Sequence, residues 1–129
     1  MQCAKRTSWR QRMLPNQTEV VKRLSELSRM LDAATEEIAV IDDKAVRAKG
    51  SYEVAYAKTF LQSNGSMDVR RQESILACSE ERLEMEIAEA QVRAVKERIN
   101  TLRSQISIGQ SLSAAIRQQF SAEGVGQYT

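Results

Sequence analysis

An unbroken 3-4 apolar repeat constrains this chain more than any other feature. It runs Val20, Leu24, Leu27, Leu31, Ala34, Ile38, Ile41, Ala45, Ala48, Tyr52, Ala55, Thr59, and steps of four and three alternate without a slip. On an α-helix that spacing draws one narrow seam down a single face, and the seam needs a partner helix to cover it. Composition agrees. With 5% aromatic and 28% charged residues, the 129-residue chain is lean for a globular core but suited to long helices with charged outer faces. One proline and five glycines leave little for strands and turns.

The punctuation divides the chain into an arm, a hairpin and a tail. Residues 1–17 read as a basic flexible arm. After Pro15-Asn16, Thr18 and Glu19 supply a cap and first turn for a helix over 18–62. Gly50 is expected either to kink that helix or to divide it near Lys49. Ser63-Asn64-Gly65-Ser66 is the turn: Asn-Gly supplies positive φ, and Ser66 caps the next helix with Asp68 in its first turn.

A four-residue link between long helices favours an antiparallel hairpin. Helix two is expected over 67–108, with a possible interruption at Ala77-Cys78-Ser79. Its seam reads Met85, Ala88, Val92, Val95, Ile99, Leu102, Ile106. Folding back at the turn would set Ile38 near Val92, Ala34 near Val95 and Leu27 near Leu102. A short C-terminal helix over 110–121 follows Gly109, and 122–129 reads as a flexible tail. The expected fold is therefore all-α: a long antiparallel helical hairpin, coiled-coil-like, with a short C-terminal helix. A second stripe, Leu83, Ile87, Ala90 and Ala94, lies beside the seam of helix two. It would stay partly wet in one hairpin, as would Val21, Val40 and Val46, so self-association into a homo-oligomer is expected.

Residue chemistry narrows the function. The chain has no histidine, the commonest general base and metal ligand at neutral pH. Cys3 and Cys78 are too few and too far apart for a structural zinc site. There is no Gly-rich phosphate loop, and the acids at Glu80 and Glu84 read as a solvated face. No enzyme, metal or cofactor is expected. No apolar run approaches the roughly 18 residues of a membrane span, and no signal-peptide core follows the basic N-terminus. The reading is a soluble, cytoplasmic protein with reduced cysteines.

Two patches could meet nucleic acid. Residues 1–15 carry Lys5, Arg6, Arg10 and Arg12 with no acid, against a net charge of +2 for the whole chain. Cations there could neutralise phosphates while Trp9 stacks on an unpaired base; a soluble leader is the alternative. Tyr52, Tyr56 and Phe60 recur every fourth residue before the turn. They serve either as packing or as a stacking platform flanked by Arg47, Lys49 and Lys58, with Arg70 and Arg71 across the turn.

The stretch Tyr52-Glu53-Val54-Ala55-Tyr56-Ala57-Lys58-Thr59-Phe60-Leu61, followed by Asn64-Gly65-Ser66 and Arg70-Arg71, resembles small helical proteins of tailed bacteriophages. In layout, residues 30–120 loosely resemble phage recombination mediators of the UvsY type. That resemblance implies rings that bind single-stranded DNA and help load a recombinase in the host-cell cytoplasm. It would place Arg47, Lys49 and Lys58 on the DNA face and assign Leu112, Ile116 and Phe120 to the oligomer contact. The leading expectation is thus a non-enzymatic accessory protein for recombination or replication, binding single-stranded DNA. The rivals are a coiled-coil scaffold or chaperone-like assembly factor, and a small inhibitor of a host protein.

Overall fold

The computed structural model describes residues 16–126, with side chains to residue 122. Three helices follow one another: α1 (Gln17–Gln62), α2 (Met67–Ala77) and α3 (Ser79–Gly126). No strand occurs among the described residues, and α1 and α3 lie together as a helical hairpin. None of these helices is long and apolar enough to cross a membrane. Contacts divide the chain into two compact units, Ala33–Ile99 and a second in which residues 16–32 meet 100–126.

Every position of the 3-4 repeat on α1 is buried or half-buried, from Val20 through Thr59. The helix begins one turn-position earlier than Thr18 implies. Asn16 is the cap, its side-chain oxygen accepting from the Glu19 amide at 2.8 Å, and asparagine caps as well as threonine or better. Gly50 does not divide α1, which runs through it. At the other end Gly65 takes φ +117°, and the Ser66 hydroxyl accepts from the Val69 amide at 3.3 Å. The turn chemistry is therefore as the sequence reads.

In the unit Ala33–Ile99 the core is built from small side chains. Ala45, Ala88 and Val92 are buried together, with Ile41 and Ala48 against them. Small residues at a helix contact let the two backbones come close. The register differs from the sequence expectation: Val92 meets Ala45 rather than Ile38, and Arg98 reaches Glu37 at 3.7 Å.

The reason lies in α2. Arg70 sits over Phe60 at 5.8 Å, yet Cys78 already lies 3.7 Å from Thr59. Eight residues of the second arm, roughly 12 Å of helix, thus pass a single residue of the first. Instead of stepping back along α1, α2 takes up chain length at the turn, and α3 starts one to two turns out of the simple register. Cys78 ends α2 at φ −106°, ψ 22°, and its carbonyl accepts from the Arg82 amide. One residue off the helical path therefore separates α2 from α3.

In the second unit Val20, Leu27, Leu102, Ser113 and Ile116 are buried. Helix α3 does not end at 108: it continues through Gly109 to Gly126, so residues 110–121 form no separate helix and 122–126 are helical. Gly109 is a seam position. A Cβ there would lie 2.6 Å from Leu24 Cδ2, so the missing side chain is the hole that Leu24 fills. Continuing the steps from Ile106 gives Gly109, Ser113 and Ile116, which are half-buried, buried and buried.

The two mid-helix glycines should respond differently to alanine. Gly50 has nothing within 4 Å of an added Cβ, so Gly50→Ala should stabilise by about 0.5–1 kcal/mol through helix propensity alone. Gly109→Ala gains the same propensity but must displace Leu24, and should come out neutral or destabilising by about 1 kcal/mol. Urea unfolding followed by circular dichroism measures both; equal gains would show that Leu24 yields without cost.

Candidate functional site

The aromatic residues before the turn form a continuous row. Because they recur every fourth residue on a regular helix, their side chains stack one turn above another. The Tyr52 and Tyr56 rings lie 6.1 Å apart at 53°. Tyr56 and Phe60 lie 6.4 Å apart and nearly parallel at 17°. Arg70 of α2 closes the row over the Phe60 face at 5.8 Å. All four residues are half-buried. The Arg70 Nε is buried without a hydrogen-bond partner, so the ring face is the contact that holds this guanidinium inward. Such a cation–ring contact contributes on the order of 0.5–1 kcal/mol when partly exposed.

Beside the row the chain uses hydroxyls to close the end of the hairpin. Thr59, Ser63 and Ser74 each donate to the carbonyl four residues earlier, at 2.9, 2.7 and 2.8 Å. Ser74 and Cys78 are almost completely buried. Small side chains with internally satisfied hydroxyls allow the three helices to meet there.

The proposed DNA-face residues do not form one patch. At about 100° per residue, Lys49 falls on the same side of α1 as Tyr52, Tyr56 and Phe60. Arg47 and Lys58 fall roughly opposite Tyr56. Lys49 is exposed and borders a groove of about 250 Å³ whose walls include Asp42, Glu89, Val92 and Arg93. Arg47 donates from Nε to Asp43 at 2.9 Å, and Arg71 approaches Asp68 at 4.0 Å. Both are pairs within one helix on the surface, and each contributes little to stability. Trp9 and the other cations of the arm lie outside the described residues.

The residues assigned to oligomer contact also separate. Ile116 is buried against its own chain and Phe120 is 68% exposed. Leu112 is half-buried along an apolar groove of about 430 Å³ with Val20, Leu24, Leu27 and Ile108. A signal for Ile116 was present in the sequence, since the 3-4 count passes through it once Gly109 is accepted as a seam position. The Phe60–Arg70 contact had a signal too, since folding back at the turn sets Arg70 level with Phe60.

The second stripe of helix two is where the apolar excess remains. Leu83 and Ile87 are 57% and 50% exposed, and Ala90 and Ala94 are exposed with them. Leu83 lies about 180° around α3 from Val92 and Ile87 about 140°, so the stripe lies on the outer side of α3, while Ile87 reaches its flank and borders a groove with Ala48 and Ala88. Val40, Val46 and Val21 are likewise exposed.

No protein-family model, no curated protein and no solved structure matches the chain.

A double-mutant cycle tests the closed row. Arg70→Ala, Phe60→Leu and their combination should give a coupling of about 0.5–1 kcal/mol in unfolding free energy. Strict additivity would mean that Arg70 stands free of the ring in solution.

Proposed function

We propose that this chain is a non-enzymatic coiled-coil interaction module that engages protein helices through its outward apolar residues. One observation carries the reading: the exposed stripe Leu83, Ile87, Ala90, Ala94 keeps coiled-coil spacing on the outer side of α3, away from the buried seam residues. Apolar side chains at that spacing on a solvated face are what a further helix covers. The disposition of charge supports the same reading. Beyond the first fifteen residues the chain holds seventeen acidic against fifteen basic residues. Of the cations in the described part that were candidates for phosphate contact, Arg47 and Arg71 face carboxylates and Arg70 is turned onto Phe60. A phosphate-tracking groove needs cations gathered on one face and free of acids.

The expectation drawn from phage recombination mediators therefore becomes the rival outcome of a direct test. Fluorescence anisotropy with labelled single- and double-stranded oligonucleotides across a salt series should give no binding tighter than non-specific contact, with Kd no lower than about a micromolar. Tighter binding that prefers single strands and falls by several counterions with salt would overturn the protein-interaction reading. It would return the function to the row of Lys49, Tyr52, Tyr56 and Arg70 together with the basic arm.

A further inference from the structure

We infer that the partner of the α3 stripe is a second copy of this chain, docked antiparallel about a two-fold axis between Ile87 and Ala90. The inference rests on the protein-interaction reading and names its partner. Three observations select this occupant and this orientation. The first is shape. The stripe runs large, large, small, small in sequence order: Leu83, Ile87, Ala90, Ala94. Reversed onto itself, it sets Leu83 against Ala94 and Ile87 against Ala90 of the second copy, so each bulky side chain meets a small one. A self-complementary patch of this kind is what a two-fold interface requires. A parallel pair would crowd the leucines and isoleucines at one end and leave the alanines unfilled at the other.

The second observation is charge. In an antiparallel helix pair, the residues just before seam positions one heptad apart face each other across the interface. Here these are Glu86, before Ile87, and Arg93, before Ala94. Glu86 of each copy therefore faces Arg93 of the other, twice by symmetry. Arg93 is exposed and enters no ion pair among the described residues, whereas Glu86 holds only the surface pair with Arg82 at 3.1 Å. On the opposite flank Glu84 faces Gln91, which brings no like charges together. A parallel pair would instead bring Arg93 beside Arg98 of the second copy. Charge pattern of this kind chooses orientation more strongly than it adds affinity.

The third is extent. Glu80 and Glu97 occupy the next seam positions outward and end the apolar contact on both sides. Four residues a side over three turns bury well under the roughly 1,200 Å² of a stable complex. The dimer is therefore weak, with Kd of tens of micromolar or above, and forms where the chain is locally concentrated. Because the stripe lies on the outer face of α3, association leaves the Ala45–Ala88–Val92 core untouched.

Sedimentation velocity on the full chain over about 10–500 µM provides the test. The mass should rise from 14.5 kDa toward twice that value. Leu83→Lys with Ile87→Lys should hold the chain monomeric, with circular dichroism reporting unchanged helicity. Glu86→Arg alone and Arg93→Glu alone should each weaken association about tenfold, and the two together should restore it. A chain monomeric throughout the range, association unmoved by the lysine variants, or a charge swap that fails to restore the dimer would overturn the inference. Association that persists in the lysine variants would still leave a protein-interaction module, using another face. Failure of that broader reading shows instead in the oligonucleotide titration.

Discussion

The contact between α1 and α3 along the 3-4 seam is the interaction on which the rest of the structure depends. Within Ala33–Ile99 it is made largely of alanine and valine, with Ala45 and Ala88 at its centre. In the other unit Leu24 occupies the space that Gly109 leaves. Both arrangements trade side-chain bulk for close backbone approach. Each layer buries few methyl groups, and at about 25 cal/mol per Å² of apolar area that yields little per residue. Stability must then come from the number of layers, which is why the repeat continues without a slip for so many turns. The same economy leaves no helix to cover the outer faces. Exposed Val40, Leu83 and Ile87 follow from a two-helix solution, because only one stripe of each helix can turn inward.

The end of the hairpin sets the register of everything after it. Thr59, Ser63, Ser74 and Cys78 are small enough for three helices to converge, and the hydroxyls are satisfied within their own helices. Because α2 spends its length there, α3 is displaced relative to a simple fold-back. That displacement leaves Arg98 opposite Glu37, whereas Arg70, ahead of it on α2, meets Phe60 where a simple fold-back already sets it. A cation that could have faced solvent is thereby turned onto a ring, so a local packing requirement decides the electrostatics of the candidate site.

Most of this was legible in the sequence where the physics is local. The α1 seam, the Asn64-Gly65 turn, the Ser66 cap and the interruption at Cys78 all rest on spacing or on the conformational preference of one residue. The register was not legible, because it depends on how a short helix leaves the turn, and no periodicity encodes that. The boundary at Gly109 was misread for a different reason. Glycine disfavours helix in isolation, but here its missing Cβ is a packing feature, and the continued 3-4 count through Ser113 and Ile116 outweighs the propensity. The residues read as a nucleic-acid face divide by simple helical geometry, since Lys49 shares a side of α1 with Tyr52 and Tyr56 while Arg47 and Lys58 do not. Arg47 lies nine residues from Tyr56 and Lys58 two, both in the worst phase for sharing its side of α1, and only a continuous helix through Gly50 makes that phase binding.

Charge and apolar surface then argue in one direction. Pairing a guanidinium with a carboxylate on its own helix does not stabilise the chain much, but it does place an acid beside any phosphate that would approach. An apolar stripe carries the opposite consequence: water gains nothing from it, and a second helix releases that water. The stripe on α3 is centred roughly 140° from the seam, so a partner docked there would draw largely on a different face of the helix from the one that closes the hairpin. That separation matters physically. A surface that also closed the hairpin could bind a partner only by competing with its own fold, whereas one on the far side can gain or lose a partner while the seam stays intact.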